Sequence, residues 1–264
     1  MSIIHPSAVI DPSVKLGENV QIGPFCVIGP DVTIGSGTKL ASHVVISGPS
    51  IIGIDNHFYQ FSSIGENPQD KKYQIGDQVQ LIMGDRNTIR EFVTINRGTI
   101  QDNAKTQIGD DNWIMANCHI AHDCIVGSRT VFANGASLAG HAIIGDDVIL
   151  GGYSMIYQRC RIGQSSITGF SSGIHRDVPP FITAAGYRGV PAGINSEGLR
   201  RKGFSPEDIM ATKAAYRSLY RKDLSLEDAL LEISAQCAQF PHLQILVDFL
   251  NVPTERGIIR GSDK

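Results

Sequence analysis

Residues 16–52 read LGENVQIGPFCVIGPDVTIGSGTKLASHVVISGPSII. An aliphatic residue returns at every sixth position: Leu16, Ile22, Ile28, Ile34, Leu40, Ile46 and Ile52. The phase extends back to Ile4 and Ile10 and forward to Phe58 and Ile64. A short run follows at Met83, Ile89 and Ile95, and a long one from Ile108 through Ile120, Leu138 and Ile156 to Ile174. Two residues earlier stands a small or β-branched side chain, as at Val20, Cys26, Val32, Thr38 and Val44, and later at Cys118, Cys124, Thr130, Ala136 and Cys160. Side chains two apart on a strand face the same side. Each hexapeptide therefore points one large and one small side chain inward, then turns. Glycine after the large residue, at Gly17, Gly23, Gly29 and Gly35, eases the turn.

Three such hexapeptides make one triangular coil of 18 residues, and stacked coils bury a continuous core. The expected fold is mainly β: a parallel β-helix followed by a smaller helical part. The same reading explains the cysteines. Cys26, Cys118, Cys124 and Cys160 all occupy the small inward slot, where a free cysteine serves as a small hydrophobe.

Two stretches break the phase, Glu66–Leu81 and Arg97–Gln107, and insertions in a solenoid emerge as loops on the binding face. The hexad fades after Pro179-Pro180, which suggests a β-helix over 1–186 and a helical domain over 187–264. Ser205-Pro206 predicts a helix start, with the helix reaching about Tyr220. Ser225 predicts a second, to about Phe240, and Leu243–Leu250 a third, with GIIRGSDK frayed at the end.

Apolar residues make up 42% and charged residues 19%, the balance of a globular chain with a sizeable core. No apolar run reaches eighteen residues, so no transmembrane segment is expected. The start, MSIIHPSAVIDPSV, does not read as a signal peptide. Five cysteines without paired spacing fit a reducing, cytoplasmic setting. The net charge of −3 hides an asymmetry: residues 187–222 hold eight basic and three acidic side chains, leaving −8 for the remainder. That stretch is either a solvated helical face or a site for an acidic partner or phosphorylated substrate. Its basic residues lack interleaved aromatics, which argues against nucleic acid.

The densest chemistry lies in NCHIAHDC, residues 117–124, and LAGHAIIG, residues 138–145. An 18-residue coil stacks Asp123 beneath His141 and His122 beneath Gly140, about one strand spacing (~5 Å) apart. Two chemistries suit such an edge. A histidine oriented by a carboxylate is a general base, with a backbone N–H near Gly140 to receive an oxyanion. Alternatively, His119, His122 and His141 form a zinc site of the carbonic anhydrase kind. A binding solenoid without chemistry is the third reading.

The hexad resembles the hexapeptide-repeat acyltransferase superfamily over about two-thirds of the chain. The resemblance narrows with QIGPFCVIGP, YQFSSIGENPQDKKY, IREFVTINRGT, NCHIAHDCIVG, LAGH, RDVPPF and GINSEGLRRKGFS. Together these are similar to the UDP-N-acetylglucosamine O-acyltransferase family of lipid A synthesis. The resemblance implies a left-handed coil and a homotrimer with active sites between subunits. It also implies transfer of a (3R)-hydroxyacyl group from the phosphopantetheine of acyl carrier protein to the 3-hydroxyl of UDP-N-acetylglucosamine, with no other cofactor and no metal. By matching motif, His122 is the general base, Asp123 its partner and Gly140 the oxyanion donor. His119 and His141 line the pocket, and Asp70 and Lys72 contact the sugar or pantetheine. Gln158, Asn195, Glu197, Arg201 and Lys202 hold the nucleotide and donor. Tyr157 and Lys202 depart from the usual histidine and arginine. Phe170 stands where glycine accompanies longer acyl chains, so its ring is expected to act as an acyl-chain ruler that shortens the donor to about 10–12 carbons. An acyltransferase using acetyl-CoA is the competing enzyme reading.

Overall fold

The computed structural model describes residues 2–261. Short strands recur at each hexapeptide and pair in parallel one coil apart: Ile4 with Ile22, Ile22 with Leu40, Ile120 with Leu138, and Leu138 with Ile156. They build three sheets, which are the three faces of a left-handed parallel β-helix. The first face begins at Ile3–Ile4, the second at Val9–Ile10 and the third at Lys15–Leu16.

The inward pairs lie where the pattern puts them. Ile22, Ile28, Ile34, Ile46, Ile120, Leu138 and Ile156 are buried, as are the small partners Val20, Cys26, Cys118, Cys124, Ala136 and Cys160. Ile4 departs from this. It is 45% exposed because no coil lies beneath the first one, while Ile10 and Leu16 are only partly covered. In the first face the small slot also takes amides. Asn56, Asn87 and Asn112 form a buried ladder in which the Asn87, Asn112 and Thr130 N–H groups donate to the side-chain oxygen one coil below, at 2.8–3.0 Å. Buried amides are tolerated when they are hydrogen-bonded.

At each corner one residue adopts the left-handed conformation, and Asp123 (φ 59°) and His141 (φ 63°) hold that position in successive coils. Pairings that span either phase break join residues more than 18 apart. Phe58 pairs with Ile89 and Ile95 with Ile120, and the surplus residues form the loops between Glu66 and Gln80 and between Asn96 and Lys105. Both loops leave the second face and return on the third, so both emerge at the same corner.

Past the prolines, Ile182–Ala185 joins the first face in parallel and pairs antiparallel with Val190–Ile194 across residues 186–189. Helix α1 (Ser196–Arg201) follows, then α2 (Pro206–Tyr220), α3 (Leu226–Ser234) and α4 (Gln244–Asn251). Ser205 caps α2 in a reciprocal box with Asp208, and Ser225 caps α3. Leu199, Ala215, Ala229, Ile233, Leu243 and Leu246 make a second core against Phe181. Three expectations are corrected. Helix α1 was not anticipated. Helix α3 stops at Ser234 rather than near Phe240: the chain goes on as tighter turns, with Gln236 and Cys237 N–H groups donating to Ile233 and Ser234, and Phe240, before Pro241, leaves helical geometry (φ −126°, ψ 78°). The tail is not frayed through Gly261: Ile258 and Ile259 are buried and bridge to Asp177, while residues 262–264 lie outside the described residues. No helix among the described residues is long and apolar enough to cross a membrane.

Candidate active site

The corner between the second and third faces carries Arg97, His122, Gly140 and Gln158 in successive coils, with Asp123 and His141 one residue further on. His122 Nδ1–H donates to Asp123 Oδ2 at 2.9 Å, so Nε2 is the nitrogen left free. Asp123 is buried. Its carboxylate also accepts from the Thr99 N–H at 3.0 Å and from the Thr99 hydroxyl at 2.6 Å. Burial alone would raise the Asp123 carboxyl, but the bonds from His122 and Thr99 outweigh it and hold the group below the usual carboxylate range.

Gly140 lies directly above the His122 ring. Its neighbours Ala139 and His141 donate their N–H groups to Ile156 and His122, while the Gly140 N–H has no acceptor among the described residues. His141 turns its ring edge-on to His122 at 5.0 Å and places Nδ1 2.5 Å from Asp102 of the second loop. His119 points outward from the second face with Nδ1 2.7 Å from Thr94 Oγ1. Burial, helped by the neighbouring His122, holds the His119 imidazole below its ordinary pKa. The corner therefore presents an imidazole held by a buried carboxylate beside an amide with no acceptor among the described residues, an arrangement chemically able to take a proton and receive an oxyanion. The alternative reading, a zinc site of three histidines, is not what the fold brings together. Among the described residues, the groups close enough to share a metal are His122, Asp123 and His141, and His119 is turned to Thr94 instead.

The sequence profile described as "Udp N-acetylglucosamine O-acyltransferase; Domain 2" matches residues 177–259, and "Bacterial transferase hexapeptide (six repeats)" matches 13–48 and 105–140. The acyl-[acyl-carrier-protein]–UDP-N-acetylglucosamine O-acyltransferase of Janthinobacterium sp. (strain Marseille) is 53% identical, over 98% of this chain and all of its own. The chain belongs to the UDP-N-acetylglucosamine O-acyltransferase family. Solved members of the family superpose along nearly the chain's whole length. The Francisella novicida UDP-N-acetylglucosamine acyltransferase gives a TM-score of 0.96 at 40% identity, covering 99% of this chain and 95% of its own. The LpxA of Acinetobacter baumannii gives 0.95 at 47%, covering 98% and 100%.

In this family member, the other expected site residues are divided among the corners, and Asp70 and Lys72 ride on a loop that leaves the histidine corner. Gln158 shares that corner, one coil above Gly140. The Asp70 carboxylate accepts the Lys72 N–H at 2.9 Å, shaping its own turn, and Lys72 is exposed. The remaining group lies at the third–first corner. Lys202 pairs with Asp147 and donates to Ser165 Oγ at 3.0 Å. Asn195 is buried. It caps α1 by accepting the Gly198 N–H at 3.0 Å and donates to the Ser165 carbonyl at 2.9 Å. Glu197 pairs with Arg200 and, at 3.0 Å, with Arg201. Phe170 stands at the first–second corner, 75% exposed, edge to face with Tyr153 at a centroid separation of 5.9 Å.

The basic stretch also resolves into parts. Arg200, Arg201, Lys202 and Lys222 are each matched by a carboxylate, whereas Arg188 joins Arg176 and Arg260 around a separate cleft. Sequence reading passed over Thr99 and Asp102, which reach the site only because the second loop folds up along the corner. A break in phase marks such a loop but says nothing of where it goes.

Proposed function

We propose that the chain transfers a (3R)-hydroxyacyl group from acyl carrier protein to the 3-hydroxyl of UDP-N-acetylglucosamine, the opening step of lipid A synthesis. The observation that carries this reading is the His122–Asp123–Gly140 constellation in a chain of this family. The sugar hydroxyl attacks the thioester carbonyl while His122 Nε2 takes its proton, and Asp123 supports the imidazolium. The oxyanion meets the Gly140 N–H. Collapse breaks the C–S bond, and His122 returns the proton to the departing pantetheine thiolate.

Residues assigned to one site lie at three corners of one chain, and this supports a homotrimer with sites between subunits. In that arrangement the histidine corner of one subunit faces Arg201, Lys202 or Phe170 of its neighbours. The first–second corner offers an apolar ladder for such contact: Phe25, His43, Phe61 and Phe92 stack at 5.0–5.3 Å, and the three phenylalanines are exposed. Phe170, extending that edge, is the residue proposed to close the acyl groove at about 10–12 carbons. Arg201 would exchange Glu197 for a substrate phosphate, which a guanidinium binds in bidentate fashion. We place the reaction in the cytoplasm.

The deciding experiment incubates the protein with UDP-N-acetylglucosamine and a ladder of hydroxyacyl carrier-protein donors, with the product identified by mass. A monoacylated sugar nucleotide is expected with wild type and near-complete loss with His122→Ala. Turnover with acetyl-CoA alone, or an unimpaired His122→Ala, would defeat the reading.

A further inference from the structure

The second loop climbs the histidine corner. Arg97 leaves one coil below His122, Thr99 binds Asp123, and Asp102 reaches His141 in the coil above. The His141–Asp102 contact joins residues 39 apart in sequence at 2.5 Å. Asp123 Oδ2 stands 3.9 Å from the same nitrogen. A nitrogen that faces two carboxylates must carry a proton, because lone pairs on both sides would repel. His141 therefore keeps its hydrogen on Nδ1 and leaves Nε2 as an acceptor in the neutral ring.

We infer that Asp102 is a positioning residue: it fixes the tautomer and ring plane of His141 so that Nε2 accepts a hydrogen bond from an O–H or N–H donor of the acceptor hexosamine. Three observations separate this from a simple loop brace. Among the described residues, the Asp102 carboxylate bonds only to His141 and meets no lysine or arginine. It is only partly covered and lines the cleft at this corner with Asp123, His141 and Arg159. It also gives the site a second imidazole–carboxylate pair. His122 is held by a residue of its own corner and His141 by a residue of the loop, with the two rings edge to face. The loop thus sets acceptor binding, separately from the proton transfer at His122.

The inference rests on the proposed acyl transfer to an amino-sugar nucleotide, and its test keeps the two apart. Steady-state kinetics would compare wild type, Asp102→Asn, Asp102→Ala, His141→Ala and the Asp102→Ala/His141→Ala double variant. They would use UDP-N-acetylglucosamine and a hydroxyacyl carrier-protein donor. Losing one oriented hydrogen bond should raise the acceptor KM about 10-fold for Asp102→Ala, with kcat within about 3-fold and the donor KM unchanged. Asp102→Asn, which keeps the volume, should fall between. In the His141→Ala background, Asp102→Ala should change nothing further. Nitrogen NMR of labelled histidine should show the Nδ1–H tautomer at His141 in wild type and a mixture in Asp102→Ala. Wild-type kinetics in Asp102→Ala, losses that multiply with those of His141→Ala, or an Nε2–H tautomer in wild type would each overturn the inference. A wild-type protein without turnover would instead defeat the functional reading and leave the NMR to judge Asp102.

Discussion

Gly140 and His122 are stacked so closely that a methyl group on Gly140 would lie 2.6 Å from Cε1 and 2.7 Å from Nε2 of the imidazole. The glycine is needed for space, since its φ is not in the left-handed region. Real Cβ atoms do not approach that closely, so Gly140→Ala must tilt the ring away from the position set by Asp123. The fold should tolerate this at a corner. The expected outcome is a fall in kcat of about 10²-fold with little change in melting temperature, because misplacing a base by about 1 Å costs on that order. Comparing kcat and thermal unfolding on the same preparation checks it.

Asp123→Asn tests the charge partner and also has a consequence for stability. Activity should fall about 10²–10³-fold, since the amide neither supports the imidazolium nor enforces the Nδ1–H tautomer. Because the folded carboxyl is held below its ordinary pKa, its stabilising contribution is fully present above the unfolded carboxylate's pKa. It is lost as pH falls through the lower folded value. Chemical denaturation of wild type at decreasing pH should show a decline in that acid window, and the variant should decline less steeply there.

Phe170→Gly removes an exposed ring and should leave thermal stability nearly unchanged. If the ring closes the acyl groove from a neighbouring subunit, the variant should accept donors of 14 carbons that wild type discriminates against. Each additional buried methylene contributes about 0.8 kcal/mol. Unaltered chain preference across the donor ladder would remove Phe170 from the specificity argument.

Assembly of sites from different corners predicts complementation. His122→Ala and Arg201→Ala should each be impaired alone. Co-refolded at equal amounts, they should recover about one quarter of wild-type activity, since a random mixture pairs an intact histidine corner with an intact Arg201 neighbour at that frequency. No recovery, with mixed trimers verified by mass, would place both residues in the same subunit's site.

Cys124 follows Asp123 directly, yet it faces the core, fully buried, with its thiol pushed up to about 12 by burial. Thiol-specific reagents should leave activity intact in the native protein. Cys124→Ala should keep turnover while losing about 1 kcal/mol of stability, measured by denaturant unfolding.

The hexad fixed which residues face inward, how strands stack and that Asp123 lies under His141, because a period of six closing after 18 residues leaves one way to bury Ile120, Leu138 and Ile156 together. Ser205 and Ser225 announced their helices for an equally local reason, a hydroxyl three residues from an N–H in need of an acceptor. The path of the second loop was not legible. Thr99 and Asp102 reach coils that they precede by 24 and 39 residues, through contacts that no repeat encodes. Nor did the sequence show that His119 turns to Thr94, or that α1 sets Arg201 at a corner remote from His122, although the repeat itself puts Phe170 two-thirds of a turn away. Periodicity determines position around one coil and along the stack. Only the folded chain decides where an aperiodic segment lies and which edges remain open to a neighbour.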